Sequence, residues 1–259
     1  MIMGNFFKNL QIFLNSRKIF KNWYSYPKLY YNFVKDEFFI FKTKNDLEIK
    51  IRVNSTDLMA LTNVWMIKEY EIEKFDINKN DIIIDVGAHI GLFSLLVSKF
   101  CLDGKIFSFE PIQNNFNLLV DNLESNKLKN IFPFNLAVSK NSSEIKLFLD
   151  NDDSAHSIFE KNNNFITVKS ISLQKIFDEN NINSCKILKL DCEGAEYEII
   201  DSLPEEYFNK VQNIIIEYHL ADSKPELGKN LISKIKNAGF EITTKPHHND
   251  MGFLIAKKK

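Results

Sequence analysis

The segment Ile82 to Ser94, IIIDVGAHIGLFS, restricts this chain to a small group of architectures. Its first half is a short continuous apolar run, the pattern of a strand covered on both faces in a parallel sheet. From Gly91 to Phe100 the apolar residues Leu92, Leu95, Leu96 and Phe100 recur at helical spacing. The turn between them, Gly87-Ala88-His89-Ile90-Gly91, carries two glycines. Gly87 has no Cβ, so backbone or ligand can approach it closely. Gly91 falls where the helix must start beside the strand, and that helix start offers unpaired N–H groups to an anion. A second strand, Lys105 to Phe109, ends in Glu110, 19 residues beyond Gly91. An acid at that distance can accept hydrogen bonds from both hydroxyls of a ribose. The two strands predict the nucleoside-binding half of a doubly wound α/β domain. The bland alternative is an ordinary strand, glycine turn and helix.

The spacing also bears on which nucleoside is bound. A dinucleotide site usually reads G-x-G-x-x-G, with backbone packed on a pyrophosphate. Here the pattern is D-x-G-x-x-x-G, and the middle glycine is absent. Asp85, at the strand end, suits a cationic or hydroxylated ligand. S-adenosylmethionine fits: its ammonium near Asp85, its carboxylate at the helix N-terminus and its ribose on Glu110, with Gly87, Ala88, His89 and Gly91 of the turn as further cofactor-binding residues. A third strand is predicted over Ile131 to Val138. Its end places Asn135 and the small Ala137 beside the adenine.

A second run repeats the design. Lys186 to Leu190 reads as a buried strand ending in Asp191, followed by the turn Cys192-Glu193-Gly194 and a helix. Val211 to Tyr218 is the next strand, with Glu217 and His219 at its end. Ligands of doubly wound sheets sit at the carboxyl ends of the strands. Asp191, Glu193 and His219 are therefore expected at one crevice with Asp85 and Glu110. His219 is the first candidate for general base, because its ordinary pKa lies near neutral pH. Asp191 is the second, with Glu193 beside it. Their bland readings are a helix N-cap for Asp191 and dipole compensation for Glu193. A divalent cation on Asp191, Glu217 and His219 is a less favoured variant. His156, in a polar loop, is more plausibly a surface residue than a site residue. The His247-His248 pair reads as a hairpin loop, since no third ligand is spaced nearby.

Length and charge narrow the class. A chain of 259 residues holds one domain with a sizeable core and an appendage. A net charge of −1 gives no general pull toward nucleic acid. Three cysteines with no Cys-x-x-Cys pair indicate a reducing compartment and no zinc knuckle. The start of the chain is too interrupted by charge to span a bilayer and lacks a small-residue cleavage site, so a cytoplasmic enzyme is expected. Residues 1–54 read as an extension and residues 55–259 as the nucleoside-binding domain. The extension begins with aromatic-rich amphipathic helices broken at Tyr26-Pro27. They are expected to pack as a cap on the domain or as a homodimer arm, in preference to a membrane-surface helix or part of a substrate pocket. A hairpin around Asn45-Asp46 follows.

With these residues in hand, the chain resembles the FkbM-type methyltransferase family. The matching segments are NVWMIKEYE, IIIDVGAHIGLFS, FSFEP, ILKLDCEGAEYEII and NIIIEYH, within about residues 55–257. The resemblance implies a Rossmann-like class I sheet of seven strands with an antiparallel last strand. It also implies S-adenosylmethionine as donor and, usually, O-methylation. Family members act on natural products, glycans and lipids. A sugar hydroxyl, on a nucleotide-linked sugar or a surface-polysaccharide precursor, is the preferred acceptor by analogy. The family often carries Asn where this chain has His89. The competing readings are a lipid or other natural-product acceptor, an NAD-dependent oxidoreductase, and a degenerate fold that only binds a partner.

Overall fold

A computed structural model describes residues 2–148, 164–246 and 250–259. His156 and the His247-His248 pair lie outside these residues. The chain opens with α1 (Ile2–Ile19) and α2 (Ser25–Tyr30), then the hairpin β1 (Phe38–Lys42) and β2 (Glu48–Arg52). Helix α3 (Asp57–Leu61) runs into a π-helical turn, Thr62–Ile67. The alternating part begins with β3 (Ile82–Val86), α4 (Leu92–Ser98), β4 (Lys105–Phe109), α5 (Gln113–Ser125) and β5 (Ile131–Phe134). After β6 (Ala137–Ser139), β7 (Glu144–Phe148), β8 (Phe165–Ser172) and α6 (Leu173–Glu179) come β9 (Cys185–Leu190), α7 (Glu196–Ser202) and α8 (Glu205–Phe208). The chain closes with β10 (Val211–His219), α9 (Pro225–Asn237), β11 (Phe240–Pro246) and β12 (Met251–Lys258).

Seven strands form one sheet in the order β11-β12-β10-β9-β3-β4-β5. Strands β10, β9, β3, β4 and β5 pair in parallel, and β12 runs antiparallel to both β10 and β11. The strand order reverses between β3 and β9, which opens a crevice at their carboxyl ends. Successive side chains of a strand point to opposite faces, and here both faces are covered. Ile83 enters one core with α4, α5 and the N-terminal hairpin, and Ile84 enters the other with α6, α7 and α9. Phe41, Ile49 and Ile51 of the hairpin are fully buried in the same cluster as Ile83 and Leu119. The outer edge of β2 is closed by two amides, one from α5 and one from the residue that caps its C-terminus. Asn122 accepts from Lys50 N–H at 2.7 Å and donates to its carbonyl at 3.1 Å. Asn126 does the same to Glu48 at 2.7 and 2.6 Å.

Two local expectations are corrected. The single strand over Ile131 to Val138 is two strands: β5 ends at Phe134, and β6 joins a separate three-stranded sheet with β8 and β7. Asn135 makes the break by donating to the Glu110 and Pro111 carbonyls at 2.9 and 3.1 Å. The helix break at Tyr26-Pro27 lies instead between α1 and α2. Pro27 sits in the first turn of α2, where its missing N–H leaves no intrahelical bond unmade.

Candidate active site

The turn after β3 is fixed by contacts that tolerate no side chain at Gly87. Its φ is +72°, and a Cβ there would lie 1.7 Å from the Asp191 carbonyl oxygen. Gly87 N–H and Ala88 N–H both donate to the Phe109 carbonyl at 3.0 Å, and Asp191 N–H donates to the Val86 carbonyl at 3.1 Å. The ends of β3, β4 and β9 are thus stitched together by backbone. Gly91, at φ +87°, starts α4 as predicted.

Asp85 lies beneath this turn, fully buried. Ser94 Oγ donates to its Oδ2 at 2.6 Å, and Lys189 Nζ stands 3.1 Å from its Oδ1. The two residues are direct register partners in the β3–β9 ladder. Lys189 is buried as well, donates to the Gly87 carbonyl at 2.7 Å, and lies 3.6 Å from Asp191 Oδ2. Burial opposes its charge, but Asp85 and Asp191 outweigh it and hold the ammonium's pKa above the usual lysine value. Asp85 was expected to meet a ligand's ammonium; the cation beside it here is the chain's own Lys189, which also donates to the Gly87 carbonyl. Sequence reasoning missed Lys189. The available clue was one charge in each of two otherwise apolar, adjacent strands.

Glu110 is the acid that does reach the crevice. His89, at φ +51°, donates its N–H to Glu110 Oε2 at 2.8 Å, and Ile112 N–H donates to Oε1 at 2.9 Å. Burial pushes the Glu110 carboxyl up, offset in part by His89 and these N–H groups. Asn135 supports this loop through its backbone contacts. Ala137 joins Phe109, Ile112, Val138 and Leu147 in an apolar slot beside Glu110.

The His89 ring is held by the N-terminal part of the chain. Its Nε2 lies 3.3 Å from Asp57 Oδ1 and 3.2 Å from Arg52 Nη2. Arg52 grips Asp57 with two bonds of 2.9 and 2.7 Å and donates to Asn115 Oδ1 at 2.8 Å. Burial would raise the Asp57 carboxyl, but His89 and Arg52 overcome it and hold Asp57 far below the usual carboxylate range. Neither Arg52 nor Asp57 was singled out in the sequence. They lie five residues apart, across the β2–α3 connection, in no motif.

The far end of the crevice is acidic. Tyr70 donates to Asp191 Oδ2 at 3.0 Å. Burial and Asp191 push Glu69 up to about 8 against the pull of Lys189. Burial, then Asp191 and Glu69, push Glu217 up as well. His219 is clamped, with Nε2 3.1 Å from Glu193 Oε2 and Nδ1 3.3 Å from Glu196 Oε1. Burial opposes its charge, but Glu196 and Glu193 win and carry its pKa up to about 10. That shift favours the charged imidazolium over the neutral ring that the expected general-base role needs. Glu196 is buried in the first turn of α7, and its carboxylate caps the Cys192 and Gly194 N–H groups at 2.8 Å each. Asp191, Glu217 and His219 each offer one ligand atom, all within 4.8 Å of one another. A cavity of about 1120 Å³ joins the apolar slot, the turn, Glu110 and this acidic end.

A parallel sheet in this order with an antiparallel β12, a glycine turn after its central strand and an acid ending the next strand define the class I S-adenosylmethionine-dependent methyltransferase fold. Residues 85–242 match the FkbM methyltransferase domain, so the chain belongs to that family and is a methyltransferase. The oxidoreductase alternative is thereby set aside. Among its relatives, the hexuronic acid methyltransferase AglP of Haloferax volcanii is 23% identical and aligns over 78% of this chain and 84% of its own. Methyltransferase 1 of Beauveria bassiana is 21% identical over 75% of this chain and 87% of its own. The FkbM methyltransferase structure from Methylobacillus flagellatus KT is 15% identical, covers 76% of this chain and 53% of its own, and superposes with a TM-score of 0.48.

Proposed function

We propose that the protein transfers a methyl group from S-adenosylmethionine to a hydroxyl of a sugar, either a nucleotide-linked sugar or a polysaccharide precursor. The observation that carries this reading is one cavity lined both by Glu110, fixed by two backbone N–H groups among apolar side chains, and by Asp191 with the acids around it. Glu110 suits the ribose hydroxyls, the apolar slot suits the adenine, and the acidic end suits a hydroxyl-rich acceptor. The name of the relative AglP, a hexuronic acid methyltransferase, supports a sugar over a lipid or other natural product. On this reading residues 55–259 carry the transferase and residues 1–54 are an extension that walls it.

S-adenosylmethionine, when bound, supplies a methyl group on a sulfonium that is already activated for displacement. The protein's task is alignment and proton handling. Asp191 takes the proton of the acceptor hydroxyl as the oxygen–carbon bond forms and the carbon–sulfur bond breaks. Tyr70 and Lys189 hold the Asp191 carboxylate in place. Such a positioned base is worth about 10²–10⁴ in rate. His219, charged between Glu193 and Glu196, fixes the loop on which Asp191 stands. A divalent cation fits this set less well, because both ring nitrogens of His219 already face carboxylates.

Incubation with methyl-labelled S-adenosylmethionine and a panel of nucleotide sugars, read by mass spectrometry, tests the proposal. A gain of one methyl on a sugar hydroxyl is expected. Transfer confined to non-sugar acceptors would overturn the sugar assignment while leaving the enzyme class intact.

A further inference from the structure

The first 35 residues hold six basic side chains and no acidic one, a net +6 against −7 for the remainder of the chain. Aromatic residues at helical spacing were expected to bury, and Phe20 and Tyr26 do, as does the aliphatic Leu29. Leu10, Leu14, Tyr24, Tyr30, Tyr31 and Phe33 do not, and Phe33 and Tyr31 are 76% and 64% exposed. The exposed rings are contiguous: Tyr30 packs edge-on to Tyr31 at 5.2 Å, and Tyr31 lies 6.3 Å from Phe33. Lys18, Lys28 and Lys35 stand exposed among them. Leu10, Leu14 and Arg17 share one stripe of α1.

This surface continues to the mouth of the cavity. Tyr30, Met59 and Ile67 all line the cavity and are all exposed, at 52%, 58% and 44%. Exposed apolar groups from α2, α3 and the π-helical turn thus converge on one rim. Tyrosines and lysines around an apolar patch are the composition of a membrane–water interface, where rings sit at headgroup level and cations meet anionic lipid. Among the described residues no helix is long and apolar enough to cross a membrane, so the contact lies on the bilayer plane.

We propose that residues 10–35, with the rim formed by Met59 and Ile67, dock on the surface of a bilayer containing anionic lipid and bring the cavity mouth to a lipid-anchored acceptor. The first half of this proposal stands on the surface alone. The second half rests on the reading of the cavity as an acceptor site. The occupant is argued from charge: a segment with six basic side chains and no acidic one complements an anionic leaflet, whereas a second copy would set this positive segment against its own.

Co-sedimentation with vesicles tests the docking. The full chain is expected to bind phosphatidylglycerol–phosphatidylcholine vesicles at least about tenfold more tightly than pure phosphatidylcholine vesicles, and raised salt is expected to release it. The variant K18E/K28E/K35E should lose the preference for anionic lipid. The variant Y31S/F33S should weaken binding to both vesicle types. Both variants should keep the parent Tm, since all five side chains are exposed. Equal binding to both vesicle types, or none, would overturn the proposal. So would a concentration-dependent dimer that Y31S/F33S abolishes, or binding to single-stranded RNA in place of vesicles. The vesicle readout involves no methyl transfer, so its failure is distinguishable from failure of the sugar reading.

Discussion

Lys189→Met would remove the only cation facing Asp85 among the described residues. Asp85 is fully buried, and its remaining described side-chain partner would be the Ser94 hydroxyl at 2.6 Å. The Gly87 carbonyl would also lose the ammonium that now donates to it at 2.7 Å. Breaking one side of a buried ion pair costs about 3–5 kcal/mol, because the other charge stays desolvated. For a chain of this size that is a fall of roughly 6–20 °C in Tm. A buried carboxylate without its cation takes up a proton more readily. The penalty should therefore be largest at high pH and shrink as pH falls. The assay is urea unfolding of the parent and Lys189→Met at about pH 8 and pH 5, with the double variant Asp85→Asn/Lys189→Met as control. The double variant should regain most of the loss, since no bare charge is left behind. A penalty under about 1 kcal/mol, or one equal at both pH values, would refute the claim that Asp85 depends on Lys189.

Gly87→Ala should cost more than the roughly 1–3 kcal/mol of a left-handed alanine, because its Cβ meets the Asp191 backbone, and calorimetric titration should show donor binding lost with it. Glu110→Gln should weaken S-adenosylmethionine binding about tenfold or more, since one of its two oxygens becomes a donor facing the backbone N–H it used to accept from; an unchanged Kd would remove the ribose assignment. Asp191→Asn should lower kcat by about 10²–10⁴ while the donor Kd, measured separately, stays within about twofold. His219 is raised from 6.5 to about 10 in the fold, so its stabilising contribution is full below pH 6.5 and is lost as pH rises through about 10. Tm followed against pH should fall less steeply over that window in His219→Gln than in the parent.

The sheet was legible because its strands are buried on both faces and read as unbroken apolar runs, as in Ile82-Ile83-Ile84 and Ile214-Ile215-Ile216. The glycine turn and Glu110 were legible because their chemistry is tied to fixed spacing. Other features depend on pairings across the chain. Lys189 finds Asp85 only through the β3–β9 register. Arg52 and Asp57 reach His89 only because the hairpin folds onto α5. The residue type alone placed His219 as a base; its two flanking carboxylates, one of them 23 positions upstream, set its charge. The break after Phe134 was hidden because Asn135 turns the chain through tertiary hydrogen bonds rather than through a local turn motif.

The side-chain amides of Asn122 and Asn126 behave toward β2 as a third strand would, offering donor and acceptor in alternation along its rim. An open hairpin margin is a template for pairing with other chains, and here a helix occupies it. Because α5 starts just after Glu110, one helix both closes the hairpin's open edge and continues the loop that lines the cavity.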